Sequence, residues 1–313
     1  MLNQRYKART ALLVAASIFA LLFSTTTATA SRNGIERKLN TFAVGITFKL
    51  SGIDQVCSGA LLAPTLLVTA GHCIYDEAGT MGTNYYFTKP GVELDAAIDP
   101  SVRQPKILKV FTQPGYVVNA ANQKDDIAFV QLDFPLATKG FIRLATTDEI
   151  SKLTADQPIK GYGYGHVYET NAPYSIYARE YAINWEVPTS NPPTTVQIHS
   201  TTATACSGDS GGPITTTSAT GEEILVAVMS GAASVVNHCG TAGADGKFIM
   251  QVTVVDTYKA LMPVIATPTP TPVAKKIYKI TCVKGKVKKY YTGTNPKCPT
   301  GYKQTSKVLI KKA

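Results

Sequence analysis

Short β-prone runs recur through residues 41–265, and they are the feature that most restricts the fold of this chain. Gly, Pro or Asn interrupts them every ten or so residues; clear examples are 41–50, 106–111, 127–132, 195–199 and 224–229. Runs of this length and spacing are typical of an antiparallel sandwich or barrel rather than of alternating strands and helices. We predict an all-β domain with one helix, over residues 254–262, at its end.

A Pro-rich segment divides the chain. Residues 266–274 begin with the string Ala-Thr-Pro-Thr-Pro-Thr-Pro-Val. Alternating proline removes backbone donors and favours extended polyproline II, so we predict a semi-rigid linker. The linker separates a domain over residues 31–265 from a module over residues 275–313. A module this small buries little core and needs a covalent staple.

The first 30 residues have the organisation of a signal peptide. Three basic residues precede an apolar run over 11–23, and Ala28-Thr29-Ala30 offers a small-residue cleavage site. The run is shorter than the roughly 20 apolar residues of a membrane-spanning helix. We therefore predict export, with a mature chain that begins near Ser31. An uncleaved membrane anchor is the alternative.

The net charge of +10 is concentrated at the two ends of the chain. Residues 1–30 contribute +3, and residues 275–313 contribute +12 from 12 Lys with no Asp or Glu, which leaves −5 for residues 31–274. A mildly acidic body does not fit a nucleic-acid-binding core, so we expect no nucleic-acid partner.

All six cysteines follow the expected cleavage site. In an exported protein an even number of cysteines indicates disulfides. Zinc is the competing interpretation, but the sequence has no CxxC pair and no His cluster. We predict that Cys282 and Cys298 staple the terminal module, which stabilises it by about 3 kcal/mol through loop closure. We expect neither a metal nor a cofactor.

Three short segments carry residues suited to acyl transfer. Ser210 lies in Cys-Ser-Gly-Asp-Ser-Gly-Gly-Pro, where a tight turn can direct the N–H groups of Gly208 and Ser210 at one point as an oxyanion hole. His72 follows a hydrophobic strand end, and its imidazole can act as a general base near neutral pH. Asp126 opens an alternating strand, where a carboxylate can orient that imidazole. Taken singly, each also fits a turn, a packing histidine or a strand cap.

The order His72, Asp126, Ser210 and the strings TAGHC, DIA and GDSGGP together resemble the trypsin/chymotrypsin-like serine proteases. The resemblance runs from about residue 31 to 262. It implies two six-stranded antiparallel β-barrels with a C-terminal helix, an active site between the barrels, and cleavage of a protein or peptide through an acyl-enzyme. The rival hypothesis is a non-catalytic cell-surface binding protein on the same fold, targeted by its basic tail.

The same resemblance implies two disulfides. One joins Cys57 to Cys73 and would pin the His72 loop. The other joins Cys206 to Cys239, between the nucleophile loop and a wall of the specificity pocket.

Substrate-binding roles also follow from the resemblance. Ser230 and Gly231 would form the edge that pairs with substrate backbone, and Gly246 would leave the specificity pocket open. Thr204 would form an uncharged pocket floor, which disfavours cleavage after Lys or Arg because a cation buried there has no counter-charge. His199 lies near this strand; it is either a packing residue or a determinant of acidic substrates.

The amino terminus departs from the family pattern. Family members are usually cut to expose an apolar residue, whose ammonium pairs with the Asp that precedes the nucleophile, but here Ser31-Arg32-Asn33-Gly34 follows the signal site. We predict that signal peptidase frees the ammonium of Ser31 and that it pairs with Asp209. The alternative is that side chains hold Asp209.

The Lys-rich tail loosely resembles a short two-Cys module found after linkers in exported bacterial proteins. Its charge and interleaved Tyr residues predict an anionic partner: a cell-wall polymer such as teichoic acid, an acidic polysaccharide or a membrane surface. A solvated extension without a partner, and an adhesive wall protein with an incidental protease domain, are the alternatives. We expect a monomer that is extracellular or associated with the cell wall.

Overall fold

The structure, a computed structural model, describes residues 34–94, 103–118, 124–137, 140–167, 174–189, 194–236, 238–263, 276–293 and 295–312. The expected signal peptide, Ser31 and the linker over 266–274 lie outside these residues. The chain divides into two units, Met1–Pro263 and Val264–Ala313. Throughout the described part, every helix is too short or too polar to cross a bilayer.

The chain enters the described region through a short strand, β1 (Ile35–Glu36), which belongs to the second sheet. The first sheet contains six antiparallel strands: β2 (Ala43–Leu50), β3 (Ile53–Ala63), β4 (Leu66–Thr69), β5 (Thr83–Phe87), β6 (Ile107–Phe111) and β7 (Ala128–Leu132). Their order is β5-β2-β3-β4-β7-β6, and no pairing between the described residues of β5 and β6 closes the sheet. This sheet is therefore an open half-barrel.

The second sheet closes on itself. Its six main strands are β8 (Pro158–Gly163), β9 (Arg179–Trp185), β10 (Thr195–Ser200), β11 (Pro213–Thr217), β12 (Glu223–Ala232) and β15 (Phe248–Val254). The order is β8-β9-β10-β15-β12-β11, β11 pairs with β8 in turn, and β1 adds to β9. Between β12 and β15 lies a small hairpin of β13 (Val235–Val236) and β14 (Cys239–Gly240).

Among the described residues, helices are few and short. Helix α1 (Thr147–Ser151) begins with a capping box between Thr146 and Glu149, which satisfies backbone donors at its first turn. The helix expected over 254–262 is a 3-10 helix, Asp256–Leu261, because Val254 still pairs with Ala227 as the last residue of β15.

Apolar side chains from the two sheets meet in a shared core. One buried cluster combines Phe42 and Phe129 of the first sheet's region with Tyr162 and Val228 of the second. Fully burying such side chains stabilises a fold by about 1.5–3 kcal/mol each. The two sheets therefore pack as one body, and the prediction of an all-β fold with two barrel-like sheets is confirmed.

The terminal unit is a three-stranded antiparallel sheet of β16 (Lys276–Lys284), β17 (Val287–Gly293) and β18 (Lys303–Lys312), with β16 in the middle. A disulfide joins Cys282 to Cys298. Ile280 and Cys282 are fully buried, so this unit has a small core of its own, held by the staple that its size requires.

Candidate active site

One cavity, of about 300 Å³, brings the three expected reacting residues together. Its lining comprises His72, Tyr116, Val118, Lys124, Asp126, Ala205, Cys206, Ser207, Ser210, Met229, Ser230, Gly231, Ala232 and Val235. Its wall is drawn from both sheets, because His72 follows β4 and Ser210 precedes β11.

His72 and Asp126 form a tightly hydrogen-bonded pair. His72 lies in the 3-10 helix Gly71–Cys73, and its Nδ1 is 2.8 Å from Oδ2 of Asp126. The backbone N–H of His72 donates to Oδ1 of the same carboxylate, at 2.9 Å. Since Nδ1 donates to the carboxylate, Nε2 of the neutral ring is the proton acceptor.

Four hydrogen bonds hold the Asp126 carboxylate. In addition to the two from His72, the Tyr116 hydroxyl donates to Oδ1 at 2.8 Å and the Ser230 hydroxyl donates to Oδ2 at 2.5 Å. Burial opposes ionisation of this carboxyl, but the charge of His72 and the hydrogen bonds outweigh it and lower the pKa of Asp126 to about 2. Asp126 is thus a fixed negative charge at neutral pH.

The charge of Asp126 also sets the basicity of His72. Burial favours the neutral imidazole, but the Coulombic attraction and hydrogen bond of Asp126 outweigh it, so the pKa of His72 is raised above its ordinary value. The side chain of His72 remains 29% exposed, toward the cavity. A raised pKa makes this imidazole a stronger base for a hydroxyl proton.

The loop around Ser210 contains a left-handed glycine and is anchored to β3. Gly208 has φ +99°, in the left-handed region that favours glycine. Ser58 in β3 fixes this loop, because its hydroxyl donates to the carbonyl of Gly208 and its N–H donates to the carbonyl of Ser210, each at 2.8 Å. Across the described chain, neither the Gly208 nor the Ser210 N–H donates to a backbone carbonyl. Both donors are available for a ligand.

The described residues contain no hydrogen bond between the Ser210 hydroxyl and His72. In ligand-free active sites such bonds are often long and tighten only when substrate binds. The absence of this bond is therefore compatible with a site in which His72 and Ser210 line one cavity.

Asp209 lies fully buried beside the nucleophile. Its Oδ1 accepts the N–H of Gly165 and its Oδ2 accepts the N–H of Cys206, both at 2.8 Å. A Cβ added at Gly163 would lie 2.0 Å from Oδ1 of Asp209, and one added at Gly165 would lie 2.6 Å from its Cγ. Two glycines thus make room for this carboxylate.

Comparison with known proteins agrees with this geometry. The family model described as Trypsin matches residues 32–258, most of the chain. The chain belongs to the trypsin family. This is a family of serine proteases, and the expected resemblance to it is confirmed.

Two relatives carry protease names. The "Modular serine protease" of Drosophila melanogaster is 30% identical over 95 residues, which is 28% of this chain and only 14% of that protein. The "Serine protease SP24D" of Anopheles gambiae is 27% identical over 207 residues, which covers 63% of this chain and 69% of that protein.

Two disulfides support the trypsin-family site. Cys57 is bonded to Cys73, next to His72, and Cys206 is bonded to Cys239, which ties the nucleophile loop to β14. The sulfurs of Cys57 and Cys73 lie near the His72 ring. Because they are bonded to each other, they are not the thiolates that a metal ion needs.

Of the residues expected to determine specificity, some line the cavity and others do not. Ser230 and Gly231 line the cavity. Thr204 is fully buried and Gly246 lies in an exposed turn with φ +75°, and neither is among the cavity's lining residues. His199 is also outside that lining; its buried ring lies 3.1 Å from Asp156 and 2.8 Å from Glu186.

Tyr116 and Lys124 are among the neighbours of the trypsin-family site that the sequence interpretation missed. Tyr116 reaches Asp126 from the loop after β6, and burial together with the Asp126 charge raises the pKa of its phenol, which keeps it a donor. Lys124 lines the same cavity. A lone aromatic residue and a lone cation in a loop carry no periodic or motif signal. Only the fold brings them to the site.

Proposed function

We propose that this chain is a secreted serine endopeptidase. Ser210 is the nucleophile, His72 the general base and then the general acid, and Asp126 the group that orients His72. Gly208 and Ser210 supply the oxyanion hole through their N–H groups. The single observation that carries the proposal is the cavity that the hydrogen-bonded His72–Asp126 pair lines together with Ser210.

The proposed reaction has two steps, acylation of Ser210 and hydrolysis of the acyl-enzyme. Oγ of Ser210 attacks the substrate carbonyl while Nε2 of His72 takes the hydroxyl proton, and the oxyanion accepts the two N–H groups. His72 then gives that proton to the leaving amine as the peptide bond breaks, leaving an acyl-enzyme. Water, deprotonated by His72, hydrolyses the ester and restores the Ser210 hydroxyl.

The cavity favours an uncharged substrate side chain. Near Ser210 its wall includes Ala205, Met229, Ala232 and Val235. The carboxylate of Asp126, the single acidic residue in the described lining, already accepts four hydrogen bonds. A Lys or Arg side chain would therefore lose water without gaining a partner. Cleavage after apolar or small residues is the preference we propose.

We propose that the ammonium of Ser31 activates Asp209 after cleavage of a signal peptide. Gly34 is buried, and its carbonyl accepts a hydrogen bond from Nη1 of Arg179 in β9. Burial lowers the pKa of Arg179, and the charges of Glu36 and Asp209 oppose that shift, so the residue that binds Gly34 also interacts with the Asp209 charge. One Gly inserted before Ser31 should abolish activity; an unimpaired variant would leave Asp209 held by the N–H groups of Gly165 and Cys206.

The activity is tested first with a fluorophosphonate probe on the purified, disulfide-intact chain, followed by peptide mapping. Labelling should fall on Ser210, vanish in Ser210→Ala and weaken sharply in His72→Ala. Folded protein that takes up no label, and cleaves no peptide after Ser31 is freed, would instead be a binding protein on a protease fold.

For the terminal unit, we propose that its 12 Lys retain the enzyme on an anionic cell-wall polymer. Retention on isolated cell wall should fall with rising salt, and should be lost when residues 266–313 are removed. Equal retention with and without those residues would discard this role.

A further inference from the structure

The sheet of the terminal unit has one covered face and one open face. The strand register places Ile280 and Cys282 on the same face, and both are fully buried. Since Cys282 is bonded to Cys298, the segment between β17 and β18 crosses that face. The open face on the opposite side carries the polar residues Lys279, Thr281, Lys288, Tyr290, Lys303 and Ser306, together with Val283, Thr292 and Val308.

The lysines of the open face are spaced for a long polyanion. Lys288 and Lys303 both lie opposite Val283, one on each outer strand, so their backbones are about 10 Å apart. Lys279 lies four residues from Val283 along the middle strand, a separation of about 13 Å. Residues 275–313 contain no acid that could pair with them. Cations at these separations fit repeating charges along a chain better than one small anion.

An aromatic ring and two hydroxyl groups, which are suited to binding a sugar, lie on the same face as these cations. Tyr290 is 60% exposed and is the single aromatic residue on the open face among those described; the Nζ of Lys279 lies 4.6 Å from its ring centroid. The hydroxyls of Thr281 and Ser306 hydrogen-bond to each other at 2.8 Å in the same row. An exposed ring can stack on a sugar, and the paired hydroxyls can bond its hydroxyl groups. One ring is a poor platform for successive stacked bases.

We propose that the open face binds an anionic glycopolymer. Its phosphates or carboxylates pair with Lys279, Lys288 and Lys303, and one of its sugar rings stacks on Tyr290. This inference rests on the proposed retention of the enzyme on a cell-wall polymer, and it adds the face and the chemistry of recognition.

Two charge-matched variants test the face in the full chain, with Ser210→Ala present in all proteins to prevent self-digestion. One changes Lys279, Lys288 and Lys303 to Gln, and the other changes Lys284, Lys289 and Lys307, which lie on the covered face. Affinity is measured for a poly(glycerol phosphate) teichoic acid and for polygalacturonate, so that phosphate and carboxylate are compared. Circular dichroism and an intact disulfide establish folding.

The open-face variant should lose at least tenfold in affinity for one or both polymers, while the covered-face variant loses less than threefold. Equal losses in the two variants would contradict the assignment of binding to the open face, since total charge alone would then explain binding. If removing residues 266–313 abolishes retention but neither variant weakens binding, the face is wrong and the retention role stands. If that removal changes nothing, the retention role itself fails.

Tyr290→Ala separates sugar stacking from charge. It should weaken glycopolymer binding several-fold and leave binding of long-chain inorganic polyphosphate, which has no sugar, unchanged. An equal loss for polyphosphate would overturn the stacking role. If the chain bound phosphatidylglycerol vesicles or single-stranded DNA more tightly than either glycopolymer, the proposal that a glycopolymer is the ligand of the open face would be wrong.

Discussion

The imidazole rings of His166 and His238 stack 4.2 Å apart, with 13° between their planes. Both residues hydrogen-bond to the backbone of Ser207. The N–H of His166 donates to the carbonyl of Ser207, and the N–H of Ser207 donates to the carbonyl of His238. Ser207 directly precedes Gly208, so this histidine pair supports one edge of the proposed oxyanion hole. In the sequence, neither histidine has an identifiable partner.

This stack predicts a loss of stability in acid. Burial and the nearby His238 lower the pKa of His166, so the unfolded chain binds the proton more readily than the native protein. Native stability should fall as the pH drops below the ordinary value of about 6.5 toward the lowered native pKa. His238→Asn keeps a residue that tolerates the φ of +68° but removes the stack. Urea unfolding at pH 7.5 and 5 should show a smaller acid loss in this variant; an unchanged loss would contradict the coupling.

Gly163→Ala should inactivate the enzyme. The new Cβ would lie 2.0 Å from Oδ1 of Asp209, so the carboxylate and the adjacent oxyanion loop must shift. We expect fluorophosphonate labelling of Ser210 to fall by on the order of a hundredfold, which corresponds to about 3 kcal/mol. Gly293→Ala is the control, since its Cβ meets nothing within 4 Å. Full labelling of the Gly163 variant would show that Asp209 does not position the nucleophile loop.

The raised pKa of His72 predicts the acid limb of the pH profile. Only the neutral imidazole accepts the Ser210 proton, so kcat/KM should decline on acidification with an apparent pKa above the ordinary value of about 6.5. Asp126→Asn removes the charge that raises the pKa, and the limb should move to lower pH. In the family's template, loss of this charge lowers kcat by about 10⁴. A limb at or below pH 6.5 in the unsubstituted protein would contradict the strong His72–Asp126 coupling.

Tyr116→Phe should weaken catalysis without disrupting the fold. It removes one of the four hydrogen bonds to Asp126, and a loss of about 1 kcal/mol corresponds to roughly a fivefold fall in kcat/KM. Tyr177→Phe is a matched control, because its hydroxyl bonds Glu93 on the surface. Steady-state kinetics with a short ester substrate measure both variants; equal effects would exclude a specific role for Tyr116.

Cys282→Ser with Cys298→Ser should unfold the terminal unit alone. The bridge closes a 16-residue separation, worth about 3 kcal/mol, and holds the segment that covers Ile280. Limited proteolysis should then cut within residues 276–312, while peptide hydrolysis stays unchanged. A terminal unit that resists proteolysis without its bridge would show that its three strands suffice.

Local strings in the sequence singled out three residues that the structure brings together. His72, Asp126 and Ser210 each sit at a strand end or tight turn whose residue pattern is visible without the fold, and the structure lines one cavity with all three. The all-β class followed from the spacing of β-prone runs, and the two barrel-like sheets followed from the resemblance to the trypsin family. The terminal helix was placed two residues early, because a β-strand ladder continues through Val254.

Residues that the fold brings to the site from distant parts of the sequence were not predicted. Tyr116, Ser58 and the His166–His238 pair reach the site through loop positions and strand register, which no local periodicity encodes. The sheet edge at Ser230 was predicted for substrate backbone, yet its hydroxyl also bonds Asp126. That second contact depends on β12 passing behind the carboxylate, a feature of tertiary packing.

The fully occupied carboxylate of Asp126 has a mechanical consequence. With donors on both oxygens from His72, Tyr116 and Ser230, the carboxylate cannot turn, and the imidazole bound to it keeps its orientation. The freedom to complete the catalytic contact thus belongs to Ser210, whose hydroxyl can rotate about a single bond. In the proposed mechanism the imidazole of His72 stays fixed, and substrate binding requires only a rotation of the Ser210 hydroxyl toward it.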